Sequence, residues 1–350
     1  MPAAAPPPDP VADQHCMAAA LRLAERGLGD TWPNPSVGCV IVSAGRVVGR
    51  GTTRSGGRPH AETEALAMAG AAARGSTVYV TLEPCSHHGQ TPPCADALAA
   101  AGVARVVVAA TDPDPRVSGG GLAKMRAAGV HVTENVGRAE AAALNVGFFR
   151  RVTAGRPMFA LKVAGSLDGR IALSNGASQW ITGPSARAAG HLLRARFDAI
   201  LAGSGTVLAD DPHLTCRLPG YAGRPKVRVI LDRRGRVTPR YRVSDTAAAP
   251  TWFYRAPGMD LRAVATDLAA KGLTRVLIEG GGEVAAAALR AGLIDEIYWF
   301  RGPQVLGGDG VPAVAGLTLD RLSDAPEFTP GEILRFGQDV LQVFRLAAKA

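Results

Sequence analysis

Apolar positions change their period repeatedly along the chain, and each change marks an element. Met17, Leu21, Ala24 and Leu28 recur at helical spacing, predicting a helix over 13–28 capped by Asp13. VGCVIVSAGRVVGRG (Val37–Gly51) carries two β-branched runs meeting at Ala44-Gly45 and reads as a hairpin. A helix over 60–74, a strand over 77–81, a helix over 92–101, a strand over 105–110, a helix over 122–128 and a strand over 130–133 follow. GFFRRVTAGRP (Gly147–Pro157) ends the alternation. It then restarts with strands over 159–165, 199–203, 227–232, 275–279 and 296–300, and helices over 184–194, 261–271 and 284–291. Such alternation predicts α/β folding, with sheets covered on both faces.

At 350 residues the chain exceeds what one hydrophobic core usually organises. The expected division is a disordered extension over 1–10, rich in proline, then α/β domains over 11–150 and 157–350. No apolar run approaches the ~20 residues needed to span a bilayer, and MPAAAPPPDP lacks the marks of a signal peptide. A cytoplasmic protein without membrane contact is expected. The five cysteines are scattered and odd in number, which favours metal binding or burial over a disulfide framework. Cys39 lies in mid-strand and reads as core, and homo-oligomerisation stays open.

The net charge of +9 invites a nucleic-acid reading, but its distribution does not. Residues 1–150 hold 13 Lys plus Arg against 12 Asp plus Glu, and the remainder 26 against 18. Eight of the basic residues fall between Arg224 and Arg242. That run is either a solvated loop or a site for a phosphorylated ligand.

The sharpest chemical signal is His60-Ala61-Glu62, followed by Pro84-Cys85 and then Cys94. A catalytic zinc takes three protein ligands and keeps its fourth position for water, whose pKa it lowers. A nucleobase deaminase also needs a carboxylate that moves protons without binding the metal. His60, Cys85 and Cys94 fit the ligand roles, and Glu62 fits the shuttle. Eight residues separate the cysteines, more than in the short P-C-x-x-C signature. Of these, His87 and His88 line a substrate pocket or sit on the surface. Asn34 is either a contact for a ribose or base edge or a turn residue. In the second half, Gly280, Gly281 and Gly282 lie between a strand and a helix, as a phosphate-binding turn or a plain one.

PNPSVGCVIV (Pro33–Val42), PHAETEAL (Pro59–Leu66) and TLEPCSHHGQTPPC (Thr81–Cys94) resemble the deaminase half of the bifunctional riboflavin-biosynthesis deaminase/reductase family, long cysteine interval included. LKVAGSLDGRIA (Leu161–Ala172), SQWITGP (Ser178–Pro184), LLRAR (Leu192–Arg196), TVLADDPHLTCR (Thr206–Arg217) and EGGGEVAAAAL (Glu279–Leu289) resemble its reductase half. The resemblance covers nearly all of the chain beyond the first ten residues. It implies a cytidine-deaminase-like domain followed by a dihydrofolate-reductase-like domain. It implies zinc on His60, Cys85 and Cys94, with Glu62 as proton donor. It also implies NADPH contacts at Ala164, Trp180, Thr206, Asp210, Gly281 and Gly282, and substrate contacts at Ser178, Arg194, Leu214, Arg217 and Glu279. Arg194 and Arg217 suit a substrate phosphate, and Lys162 could face the sugar.

The implied reactions are zinc-dependent hydrolytic deamination of 2,5-diamino-6-(5-phosphoribosylamino)pyrimidin-4-one, a small phosphorylated pyrimidine, and then NADPH-dependent reduction of its ribosyl group to ribityl. Arg233 and Arg234, after a strand's C-terminal end, are expected to meet the 2′-phosphate of NADPH. A tRNA deaminase is the first rival reading, but it would want a basic surface that the first half's balance of +1 does not suggest. A non-catalytic protein with a closed zinc site, completed by His87 or His88, is the second. That reading has no use for Glu62.

Overall fold

The computed structural model of the chain describes residues 9–87, 92–115 and 117–347. The chain forms two compact units, Met1–Gly155 and Arg156–Ala350. All but the last two residues of the expected extension over 1–10 lie outside the described residues.

The first unit runs α1 (Pro10–Glu25), β1 (Gly38–Ser43), β2 (Arg46–Thr52), α2 (Ala61–Ala69), β3 (Thr77–Leu82), α3 (Cys94–Ala100), β4 (Arg105–Ala110), α4 (Gly120–Ala127), β5 (His131–Thr133), α5 (Arg138–Leu144) and α6 (Val146–Ala154). Its five-stranded sheet has the order β2-β1-β3-β4-β5. β1 pairs antiparallel with β2 and β3, whereas β3–β4 and β4–β5 are parallel. Every residue of β3 and β4 is buried, so both faces of the central strands are covered. The hairpin turns at Ala44 and Gly45, both with positive φ (47° and 74°), as a tight two-residue turn requires.

One expectation fails here for a physical reason. Asp9, not Asp13, caps α1: its carboxylate accepts the Val11 and Ala12 N–H groups at 3.1 Å, and Pro10 fits the first turn. Asp13 instead lies inside the helix, buried, where it pairs with Arg105 on β4 at 2.6 Å and accepts the Tyr79 hydroxyl at 3.0 Å. Removing one partner of so buried a pair would cost about 3–5 kcal/mol. GFFRRVTAGRP, where the alternation ends, holds the division between the units at Gly155/Arg156, but it is helical for most of its length: Gly147–Ala154 belong to α6 and Phe148 joins the core.

The second unit runs β6 (Met158–Gly165), β7 (Arg170–Ala172), α7 (Pro184–Ala195), β8 (Ala199–Gly203), α8 (Ser204–Asp210), β9 (Val227–Leu231), β10 (Thr251–Tyr254), α9 (Leu261–Ala270), β11 (Arg275–Ile278), α10 (Gly282–Arg290), β12 (Ile294–Arg301), β13 (Val311–Pro312), β14 (Phe328–Phe336) and β15 (Asp339–Leu346). Its eight-stranded sheet has the order β10-β9-β8-β11-β6-β12-β15-β14. The six strands from β10 to β12 are parallel, and β15 and β14 add antiparallel at one edge. Parallel strands deliver their carboxyl ends to one side of a sheet, where open α/β folds place ligands. No helix among the described residues is long and apolar enough to cross a membrane.

Candidate active sites

In the first unit, three elements carry the metal-type residues. His60 is the N-cap of α2, Cys85 follows β3, and Cys94 opens α3. His60 Nδ1 lies 3.3 Å from Cys94 Sγ and 3.8 Å from Cys85 Sγ, and the three ligand atoms fall within 4.8 Å of one another. Tetrahedral zinc with ordinary bond lengths sets a nitrogen–sulfur edge of about 3.6 Å, so the donor set fits zinc. Cys85 Sγ accepts the Cys94 backbone N–H at 3.3 Å. Hydrogen bonding from Cys94, and then from His60, holds the Cys85 thiol down to about 4. Hydrogen bonding with Cys85, together with burial, pushes the Cys94 thiol up.

Glu62 sits in the first turn of α2, buried, and is not among the three metal-type residues. Burial lifts its carboxyl to about 7, with the nearby His60 opposing. A carboxyl titrating near neutrality can both take and give a proton. Glu62 lines a cavity of about 270 Å³ with Asn34, His60, Cys85, His87, Asp112 and Asp114. Asn34 donates from Nδ2 to the Gly57 carbonyl at 2.8 Å. Gly57 has φ +88°, and a Cβ there would meet Asn34 at 2.7 Å, so glycine is required. His87 is exposed and no part of the ligand cluster; His88 lies outside the described residues.

Sequence reasoning passed over the group that shapes this cavity's floor. Buried Glu83, next to the Pro84-Cys85 motif, accepts Gly121 N–H at 2.9 Å and Leu122 N–H at 3.3 Å on one oxygen. Its other oxygen accepts Gly119 N–H at 3.0 Å and Asp112 N–H at 3.3 Å. One carboxylate thus pins the loop carrying Asp112 and Asp114. Burial lifts the Asp112 carboxyl to about 6. The signal was available: a Glu two residues before a ligand cysteine, directly after a fully buried strand.

In the second unit, the carboxyl ends of β6, β8 and β11 open onto two overlapping cavities of about 520 and 580 Å³. Ala164, Ser178, Trp180, Arg194, Asp210, Arg217 and Glu279 line both, and Thr206, Leu214 and Gly281 line the first. The structure therefore brings together residues spread over more than a hundred positions. Gly282 is the exception. It is buried beneath 312–315, where a Cβ would lie 2.5 Å from the Pro312 carbonyl, so packing rather than a ligand demands glycine there. Gly281 N–H donates to Thr206 Oγ1 at 3.1 Å, fixing the turn before α10.

Glu279 is a largely covered anion that lines both cavities, its side chain 9% exposed. Arg194 holds it bidentately, at 2.5 Å from Nε to Oε1 and 2.9 Å from Nη2 to Oε2, and Lys162 stands 3.6 Å away. Burial would raise the Glu279 carboxyl, but Arg194 and Lys162 prevail and bring it down to about 2. Arg194 also donates to the Thr215 carbonyl at 2.8 Å, so its fork serves Glu279 and the chain. Arg187, which sequence reasoning missed, lays its guanidinium 4.3 Å over the exposed Trp180 ring. Arg233 and Arg234 occupy an exposed turn after β9, and neither lines these cavities.

Two family models match the chain: the cytidine and deoxycytidylate deaminase zinc-binding region over residues 10–110, and the RibD C-terminal domain over 157–342. Riboflavin biosynthesis protein RibD of Escherichia coli K12 is 44% identical over 361 residues, which cover 94% of this chain and 98% of that protein. RibD of Acinetobacter baumannii superposes with a TM-score of 0.90 at 36% identity, covering 97% of this chain and 100% of the other. A diaminohydroxyphosphoribosylaminopyrimidine deaminase/5-amino-6-(5-phosphoribosylamino)uracil reductase of Thermotoga maritima gives 0.89 at 36% identity, covering 97% and 99%.

Proposed function

Because the chain belongs to the RibD family of bifunctional riboflavin-biosynthesis deaminase/reductases, we propose which residues carry its two reactions and which cofactors they use. The first unit deaminates 2,5-diamino-6-(5-phosphoribosylamino)pyrimidin-4-one, with zinc held by His60, Cys85 and Cys94. The observation that carries this reading is a three-ligand cluster beside a buried carboxylate that is not one of the ligands. Zinc at such a site supplies the charge that makes water nucleophilic near neutral pH. Glu62 would take a proton from the attacking water and return it to the pyrimidine as ammonia departs. Asn34, His87, Asp112 and Asp114 offer the polar edge that holds the ring.

The second unit reduces the ribosyl group of the deaminated product. NADPH supplies the hydride. Ala164, Trp180, Thr206, Asp210 and Gly281 form its side of the cavity, and Ser178, Leu214, Arg217 and Glu279 face the substrate. Arg194 positions Glu279, because its fork already grips that carboxylate.

Titrating the full chain with NADPH while following tryptophan emission tests the cofactor assignment. Saturable quenching with one site per chain is expected, and Trp180→Phe should remove most of the signal. No saturable response in the wild-type protein would refute the assignment.

A further inference from the structure

The basic run between Arg224 and Arg242 resolves into unlike parts. Arg228 is fully buried and acts as a tie. It donates to the Arg242 carbonyl at 3.1 Å, the His213 carbonyl at 3.4 Å and the Ala249 carbonyl at 2.6 Å, and also to the Asp245 carbonyl. Arg242 is held from the other side too, since its N–H donates to Asp211 Oδ1 at 2.8 Å. Backbone anchorage on both sides sets Arg242 at the rim of the reductase cavity, which it lines with Arg217 and Leu214. None of the other seven basic residues of the run lines that cavity.

The donors at this rim are unequally committed. Arg194 spends three of its N–H groups on Glu279 and Thr215. The Arg217 guanidinium donates no hydrogen bond among the described residues, although the Glu279 carboxylate attracts it; its backbone N–H goes to His191 Nδ1 at 3.2 Å. Arg242 offers Nε to Asp211 at 3.4 Å, and its two terminal nitrogens have no partner among the described residues. Asp211 thus offsets part of its charge without covering the fork. Arg217 and Arg242 are also close enough to interact: burial first, then Arg194 and Arg242, depress Arg217. The neighbouring His191 is driven to about 4 by burial, Arg194 and Arg217. Two guanidinium forks, those of Arg217 and Arg242, thus stand at the rim, with Asp211 and Asp210 lining it beside them.

We propose that Arg242 joins Arg217 as a two-guanidinium clamp for a phosphate monoester dianion at the open rim of the reductase cavity. A pair of planar forks matches tetrahedral phosphate oxygens in a way that one fork committed to a carboxylate cannot. The inference rests on the reductase reading above. Two sources offer this chemistry, the substrate's 5′-phosphate and the cofactor's 2′-phosphate.

Calorimetry on the full chain separates them, using ribose 5-phosphate, ribose, NADPH and NADH as probes. Arg242→Ala should weaken ribose 5-phosphate or NADPH tenfold or more while leaving the counterpart that lacks the monoester phosphate, ribose or NADH, within twofold. Loss confined to ribose 5-phosphate places the clamp on the substrate; loss confined to NADPH places it on the cofactor. Arg242→Lys should recover part of the loss, and Arg240→Ala, in the same run but off the cavity, should change nothing. Thermal melting checks that the variants fold. Affinities for both probes within twofold of wild type in Arg242→Ala, with Arg217→Ala impaired, would overturn the clamp alone. Wild-type protein that binds neither NADPH nor ribose 5-phosphate would overturn the reductase reading itself, and the clamp with it.

Discussion

Glu62→Gln isolates the proton shuttle from everything around it. The side chain is 4% exposed, so the amide must occupy the same packed volume, and it can do so without a cavity because the two are isosteric. His60, Cys85 and Cys94 remain as they are, and zinc should stay bound at one ion per chain. What is lost is a carboxyl that burial lifts to about 7. General acid–base catalysis contributes about 10²–10⁴-fold, equivalent to roughly 2.7–5.4 kcal/mol of barrier. Ammonia release, followed by a coupled glutamate dehydrogenase assay, should fall by at least that lower bound. Reduction of separately prepared aminouracil nucleotide should continue, since the residues lining the reductase cavities all lie between Lys162 and Ala313. Deamination within tenfold of wild type would refute the assigned role, and loss of zinc would mean that Glu62 is a ligand or a support for one.

Metal analysis should find one zinc per chain, and its removal by a chelator should abolish deamination while sparing reduction. Glu83→Ala should lower the melting temperature and weaken pyrimidine binding, because four backbone N–H groups lose a charged acceptor worth about 1.5–3 kcal/mol per bond at most; an unchanged melting curve would contradict this. Sugar-phosphate affinity at the reductase site should rise with pH through about 6 as the phosphate becomes a dianion. Glu279, held at about 2, stays charged across that window, and His191, held at about 4, loses its proton below it. A fall in affinity between pH 6 and 8, measured by calorimetry, would contradict the assignment.

The zinc site was legible because its chemistry is local: a His two residues from a Glu, and two cysteines at strand and helix ends, announce themselves in one half of the chain. The reductase site was not. Its lining runs from Lys162 to Ala313, and only the fold of a parallel sheet brings those strand ends together. There the family resemblance named residues that spacing could not. Where local rules misled, tertiary pairing had intervened. Asp13 looks like a helix cap, yet Arg105 on another element claims it. Arg228 looks like one more solvated cation until buried carbonyls take up its donors. The β14–β15 hairpin escaped notice because β14 is exposed along nearly its whole length and shows no apolar alternation.

The central claim is that one chain performs two reactions in a fixed chemical order. Its most direct test supplies purified protein with the diaminopyrimidinone nucleotide, first without NADPH and then with it. Without NADPH, ammonia should form in step with the ribosylamino-uracil, and the reaction should stop there. Adding NADPH should then oxidise one equivalent per ammonia released and yield the ribitylamino product. NADPH oxidation without prior ammonia release, or ammonia release with no NADPH oxidation afterwards, would contradict the account.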